Sequence, residues 1–294
     1  MERARLLLGA RGCADLSLLV LDADTGRFVA LAPPPADTGV TAAALSPDGR
    51  WVVFRVRWAR RPIVRWVLHR LADGGRFVFD GWPDDIDRLV AFSPDGHTLA
   101  TAGDDESLAT VTTIDIRTGA RRRMWSGPGG SSSLECAIGF SPDGRLLAAT
   151  HIDDRDTEVT VVLDPADGRL VAHHEGASML GVPNGAWLDD HRLVLFPEEH
   201  EDLVPLLLVA DLDDGTTVAH RFHGRPEDSG SCHAVVDGRL IQTFADTPGP
   251  APTLYSCALD RTDPRPFLHV DPRLGHQLLD HAPRSTQTAR AEHG

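Results

Sequence analysis

Lysine is absent from the 294 residues, so all 29 cationic side chains are arginines, a bias that points to a GC-rich coding genome more than to a functional choice. Asparagine and tyrosine occur once each, as Asn184 and Tyr255, and aromatics make up only 6% of the chain, so the packing load falls on Leu, Val and Ala. Cysteine is scarce as well: Cys13, Cys136, Cys232 and Cys257 form no Cys-x-x-Cys pair and have no zinc-like spacing, the pattern expected of free thiols in a reducing cytoplasm. No apolar run approaches the ~20 residues that span a bilayer. The segment Leu6-Leu7-Leu8-Gly9-Ala10-Arg11-Gly12-Cys13 has a faint likeness to a lipoprotein signal, but its leucines are too few for an apolar core and Arg11 is wrong for cleavage. A cytoplasmic location is therefore the expectation. Positive charge is in deficit, and a formal net charge of −14 removes the basic surface on which general nucleic-acid binding draws.

What the chain does have is repetition. Phe140-Ser141-Pro142-Asp143-Gly144-Arg145-Leu146-Leu147-Ala148-Ala149 is a tight turn followed by an apolar run, and the same words stand at Leu45-Ser46-Pro47-Asp48-Gly49-Arg50-Trp51 and Phe92-Ser93-Pro94-Asp95-Gly96-His97-Thr98. Worn copies follow at Trp187-Leu188-Asp189-Asp190-His191-Arg192-Leu193 and Val235-Val236-Asp237-Gly238-Arg239-Leu240. The turn aspartates Asp48, Asp95, Asp143, Asp190 and Asp237 recur every 47 or 48 residues, the signature of stacked or radial repeats. A second turn, such as Asp24-Thr25-Gly26-Arg27, Asp73-Gly74-Gly75-Arg76, Ala166-Asp167-Gly168-Arg169 or Asp213-Asp214-Gly215-Thr216, precedes the last strand of each unit. Asp-Gly and Thr-Gly between apolar runs are hairpin chemistry. Each unit thus reads as strand, Pro-Asp-Gly turn, strand, variable loop, strand, hairpin turn, strand.

Four short antiparallel strands per unit is the blade of a β-propeller. On its Ser-Pro-Asp-Gly turns the chain resembles the WD40-like propeller repeats of the TolB-type propeller, over nearly its whole length. The strict WD40 signature, a Gly-His pair followed by a Trp-Asp dipeptide, is absent. The resemblance implies an all-β, six-bladed propeller, with blades at about 274–283 plus 1–32, 40–80, 86–125, 134–174, 181–223 and 231–270. Residues 1–283 form a single domain on this reading, and 284–294 a disordered tail. Leu274 to Asp280 is the only segment left to supply the first strand of the N-terminal blade, so closure is of the three-plus-one kind.

Function on such a scaffold sits in the loops, because the strands are committed to packing. Three successive second-to-third-strand loops are acidic: Asp104-Asp105-Glu106, His151-Ile152-Asp153-Asp154-Arg155-Asp156 and Glu198-Glu199-His200-Glu201-Asp202. The repeat places them side by side. They suit solvated loops, a basic protein or peptide partner, or a divalent cation such as calcium, in that order. Trp82 and Trp187, with Met179 and Leu180, are expected at the channel mouth. In the second unit Trp51, Arg55, Arg57, Trp58, Arg60, Arg61, Arg65, Trp66 and Arg70 interleave indoles with guanidiniums, which reads first as cross-strand pairing and second as a grip for phosphate or an acidic partner. His173, His174, His223, His233, His269 and His276 fall in or beside the connections between units, without a ligand spacing.

Propeller enzymes offer further tests. The six-bladed calcium lactonases use asparagine ligands, a sialidase needs a tyrosine nucleophile with an arginine triad, and an oligopeptidase adds a hydrolase domain with a Gly-x-Ser-x-Gly elbow. Asn184 and Tyr255 stand alone and no such elbow exists. The reading favoured by the sequence is a noncatalytic binding scaffold that recognises a protein or peptide over its loop-rich face, with no cofactor. The alternative is a small-molecule hydrolase, lyase or cyclase, with His174 and Asp153, or His223 and Glu199, as a convergent acid–base pair.

Overall fold

The computed structural model describes residues 5–10, 18–22, 27–30, 38–58, 64–79, 87–105, 108–129, 137–179, 186–197, 206–221, 232–236, 238–243, 253–259, 263, 265–269 and 276–282. The turn that organises the sequence forms because its own side chains satisfy its backbone. In three copies the serine hydroxyl donates to the aspartate two residues on: Ser46 to Asp48 at 2.6 Å, Ser93 to Asp95 at 2.6 Å and Ser141 to Asp143 at 2.7 Å. The same serine oxygen accepts the N–H five residues on, from Trp51, Thr98 and Leu146. Each aspartate also accepts the N–H that follows the glycine. Gly144 has a φ of +75°, where a side chain is strained, and Pro94 of the preceding copy stands 3.2 Å from where a Cβ would be. Successive turns therefore lean on one another.

Each turn joins strands of a four-stranded antiparallel sheet, and six such sheets are present among the described residues. The first contains β1 (Arg5–Ala10), β2 (Leu18–Asp22) and β3 (Arg27–Ala30). The second runs β4 (Thr38–Leu45), β5 (Trp51–Trp58), β6 (Val64–Arg70), β7 (Arg76–Phe79), and the third β8 (Asp87–Phe92), β9 (Thr98–Asp105), β10 (Leu108–Asp115), β11 (Arg121–Pro128). The fourth is β12 (Ile138–Phe140), β13 (Leu147–Ile152), β14 (Glu158–Leu163), β15 (Leu170–Glu175), and the fifth β16 (Ala177–Met179), β17 (Arg192–Pro197), β18 (Leu206–Asp211), β19 (Thr217–Arg221). The sixth is β20 (Cys232–Val236), β21 (Arg239–Thr243), β22 (Thr253–Cys257), β23 (Arg265–His269). The last strand, β24 (His276–Ala282), returns to the first sheet and pairs with β1 from Arg5 opposite Ala282 to Ala10 opposite His276. The three-plus-one closure read from the sequence is thus observed.

The middle strands, such as Leu147–Ile152 and Glu158–Leu163, are buried on both faces, whereas outer strands such as Arg121–Pro128 and Leu170–Glu175 are largely exposed or half-buried. Alternate residues serve opposite interfaces. Leu147, Ala149, Val161 and Leu163 pack with Ala91, Ala100, Val111 and Met124 of the third sheet, whereas Ala148 and Val162 belong to the core shared with the fifth. Trp66, Leu68, Phe92 and Leu99 close the second sheet on the third, and Val235, Leu240 and Cys257 close the sixth on the fifth. Cys257 is a buried free thiol.

One boundary differs from expectation. The inner strand of the fifth sheet begins at Ala177, not near 181, and pairs Ala177 with Pro197 and Met179 with Leu195. The cause is a polar chain invisible in the repeat. Thr150 and Thr160 hydroxyls lie 2.8 Å apart, Thr160 donates to the Ala177 carbonyl at 2.8 Å, and the Met179 N–H donates to Thr150 at 3.0 Å. The fourth sheet's threonines thereby fix the next sheet's first strand.

Candidate functional site

The best-described part of the loop-rich end is the β13–β14 connection. Asp153 is 5% exposed and is consumed by its own loop: Oδ1 accepts the N–H of Arg155 at 2.8 Å and of Thr157 at 3.0 Å, and Oδ2 accepts Arg155 Nε at 2.9 Å. Burial pushes the Asp153 carboxyl up, but the hydrogen bonds from Thr157 and Arg155 and the guanidinium charge outweigh it and hold the carboxyl below the ordinary carboxylate range. Arg155 continues to Glu175 on β15 at 3.3 Å. Asp156 turns the chain with a φ of +59°, and Asp154 and Asp156 stand exposed on this braced frame.

Beneath the loop, His151 is 7% exposed and packs on Trp125, ring centroids 5.1 Å apart, with no partner for Nδ1. Burial lowers its basicity; Asp153 offsets this and His173 adds to it. The expected pairing of His174 with Asp153 is corrected here: Asp153 acts on His151, whereas His174 lies across from Thr160, on the face turned to β16. Strand alternation separates them, since His151 and His174 occupy opposite faces of one sheet. His174 Nε2 is buried without a partner, and its basicity is lowered by burial and by His173.

Trp187 is also corrected. Instead of lining a mouth it is 5% exposed and donates from Nε1 to the Gly139 carbonyl at 3.1 Å, tying the fifth sheet to the inner strand of the fourth. Met179 is buried in the same core. Asp104 and Asp105 end β9, opposite Ala109 and Leu108, so they stand at the tip of the hairpin next to the β13–β14 loop in the repeat. Trp82, Glu106, Glu198, Glu199, His200 and His223 lie outside the described residues. In the second sheet the cross-strand reading holds: Trp51 pairs with Arg70, whose guanidinium lies 5.6 Å from the indole centroid, and Arg55 stands opposite Trp66. Arg70 is further held by Asp73 at 2.6 Å.

Sequence reasoning missed Trp125, Arg155 with Glu175, and the clamp of the third sheet on the fourth, where Arg122 donates to the Ala166 carbonyl at 2.6 Å. Arg155 was legible as the one cation in an acidic loop; the others depend on sheet packing. Among the described residues, no group of three or more His, Cys, Asp and Glu side chains is placed to hold a metal ion, and no helix is long and apolar enough to cross a membrane.

Residues 77–109 match the WD domain, G-beta repeat family. They run from the outer strand of the second sheet through the Ser-Pro-Asp-Gly turn to the start of β10. The whole arrangement superposes on TolB from Acinetobacter baumannii with a TM-score of 0.63 at 16% identity, over 96% of this chain and 67% of that one. The chain has a β-propeller fold with one repeat that matches the WD domain family. This propeller is also similar to the β-propeller domain of the Trilobed protease from Pyrococcus furiosus, with a TM-score of 0.54, 13% identity and coverage of 79% and 70% of the two chains. That domain is described as having an open velcro topology, whereas here β24 pairs with β1. Against acylaminoacyl peptidase from Pyrococcus horikoshii the TM-score is 0.53 at 14% identity, over 78% of this propeller and 39% of the peptidase chain. At these identities the likeness is one of fold. No curated protein sequence matches the propeller.

Proposed function

We propose that this propeller is a noncatalytic recognition scaffold whose loop-rich face binds a basic segment of a protein or peptide. One observation carries the reading: the β13–β14 loop is held from within by the buried Asp153, whose carboxylate accepts the N–H groups of Arg155 and Thr157, so that Asp154 and Asp156 project from a braced turn. Preorganised exposed carboxylates on a chain of net charge −14 suit electrostatic recognition of arginine- or lysine-rich sequence. Among the described residues, Asp153 braces its loop and His151 packs on Trp125. That the WD domain match covers one repeat, and that peptidase chains share the fold, fits a scaffold used with many chemistries.

The test is fluorescence anisotropy with labelled unstructured peptides of equal length that are arginine-rich, neutral or glutamate-rich. Saturable binding of the basic peptide, weakened by salt and by the Asp154→Asn/Asp156→Asn variant, is the expected result. Equal binding of all three peptides, or unchanged binding by the variant, overturns the reading.

A further inference from the structure

Among the described residues, the fourth sheet is distinguished by an imidazole with a buried, unpartnered ring nitrogen on each face, His151 being buried and His174 half-buried. On the side of the third sheet, His151 sits against Trp125 with Nδ1 unpartnered. On the side of the fifth, His174 shares its face with the Thr150–Thr160 hydroxyl pair that anchors β16, and its Nε2 is unpartnered. We propose that these two histidines make the fourth sheet acid-released: protonation loosens this sheet, with the β13–β14 loop it carries, ahead of the rest of the ring. The inference is independent of whether that loop binds a partner.

A neutral imidazole with a buried, unpaired ring nitrogen fits an apolar interface, but the cation needs a hydrogen-bond acceptor at both nitrogens and loses solvation. The groups around each site decide whether that cost is met. His151 has Asp153 two residues on in its own strand's loop, but both carboxylate oxygens are already engaged by Arg155 and Thr157. From β15 it faces His173 and Glu175, and Glu175 is engaged by Arg155; from the third sheet it meets the Trp125 indole. His174 meets Thr160 on β14, whose hydroxyl is spent on Ala177, and the charged group acting on it among the described residues is His173, of like sign when protonated. Both basicities are lowered, with burial the first cause. An unfolded chain therefore takes up protons at a higher pH than the folded sheet. Stability is complete above the ordinary histidine pKa of about 6.5 and is lost as the pH falls from there through the folded values. In the second sheet His69 is likewise buried with Nδ1 unpartnered, its basicity lowered by burial and by the Arg76 charge and partly offset by Asp73, but among the described residues it stands there alone.

Hydrogen exchange followed by mass spectrometry on the full chain at pH 7.5, 6.0 and 5.0, corrected for intrinsic rates, reads this directly. Peptides spanning 147–163 and 170–179 are expected to gain exchange by up to about tenfold per pH unit per histidine, more than peptides from β9–β10. The His151→Phe/His174→Phe variant should abolish the difference between sheets; if its folding is impaired, His151→Gln/His174→Gln serves the same purpose without the larger ring. Uniform loss of protection across all sheets, or a wild-type pH response in a folded double variant, overturns the proposal.

Discussion

The fourth and fifth sheets are built to one plan and held by different chemistry. In the fourth, Ser141 and Asp143 close the inner turn, with Ser141 bonded to Asp143 and accepting the Leu146 N–H. In the fifth, no serine is present and the turn is one residue shorter between its flanking pairs, Trp187–Leu193 against Phe140–Leu147. There Asp189 accepts the N–H groups of His191 and Arg192 and binds the Arg192 guanidinium at 2.6 Å, while the indole of Trp187 reaches back to Gly139. The outer hairpins differ as well. Gly168 is pressed on the third sheet, so that a Cβ would run into the Met124 carbonyl oxygen, whereas Gly215 has open space around it. A repeat therefore preserves where the backbone must turn, and leaves free which side chains meet the requirement.

The contrast can be broken most sharply at the outer hairpins. Gly168→Ala adds a backbone clash to left-handed strain, for an expected loss of about 3 kcal/mol, against about 1 kcal/mol for Gly215→Ala, where only the strain applies. Denaturant unfolding of the two variants measures the difference, and equal losses would mean that the third and fourth sheets are not clamped at their rims. Next in size is Trp187→Phe, which keeps an aromatic ring and removes the indole N–H that the buried Gly139 carbonyl accepts, for about 1 kcal/mol. Ser141→Ala should cost about 1 kcal/mol, since two hydrogen bonds of one turn are lost but the turn is partly solvated; at the equivalent place in the fifth sheet Leu188→Ala breaks no side-chain hydrogen bond.

The smallest effect is in acid. Burial pushes the Asp189 carboxyl up, but Arg192 and the N–H groups of His191 and Arg192 hold it below the ordinary range. A depressed carboxyl gives stability that is present above its unfolded pKa of about 4 and lost as the pH falls through the folded value. Asp189→Asn should accordingly flatten the acid limb of a melting-temperature profile below about pH 4 and leave the limb between pH 5 and 7 unaltered. A variant that changed the upper limb would overturn this assignment to Asp189.

The intact turns were legible because their chemistry is written in adjacent residues: serine, aspartate and glycine satisfy one another within a few positions, so the string itself states the geometry. The closing strand followed from the same bookkeeping, with His276–Ala282 falling close to the 274–280 expected. In the fifth sheet the same marker misleads by one place. Asp190 sits at the periodic position, but the shortened turn hands the bonding role to Asp189. The site was less legible. The acidity of the β13–β14 loop could be read, but not that Asp153 would turn inward while Asp154 and Asp156 remained outside, because that depends on Arg155 and Thr157 supplying donors in three dimensions. Contacts between sheets, such as Trp125 on His151 or Trp187 on Gly139, join residues whose separation in sequence carries no local pattern.

The pairing of β24 with β1 also sets how the ring bears load. Arg5 lies opposite Ala282, so tension applied at residues 5 and 282 acts at one end of an antiparallel pair. The hydrogen bonds are then peeled apart in succession, like a zip, and are never sheared all at once. Pulling between residue 10 and residue 282 instead stretches the same pair along its length and recruits every bond together. The first sheet would thus open under a small force in one direction and resist a much larger one in the other.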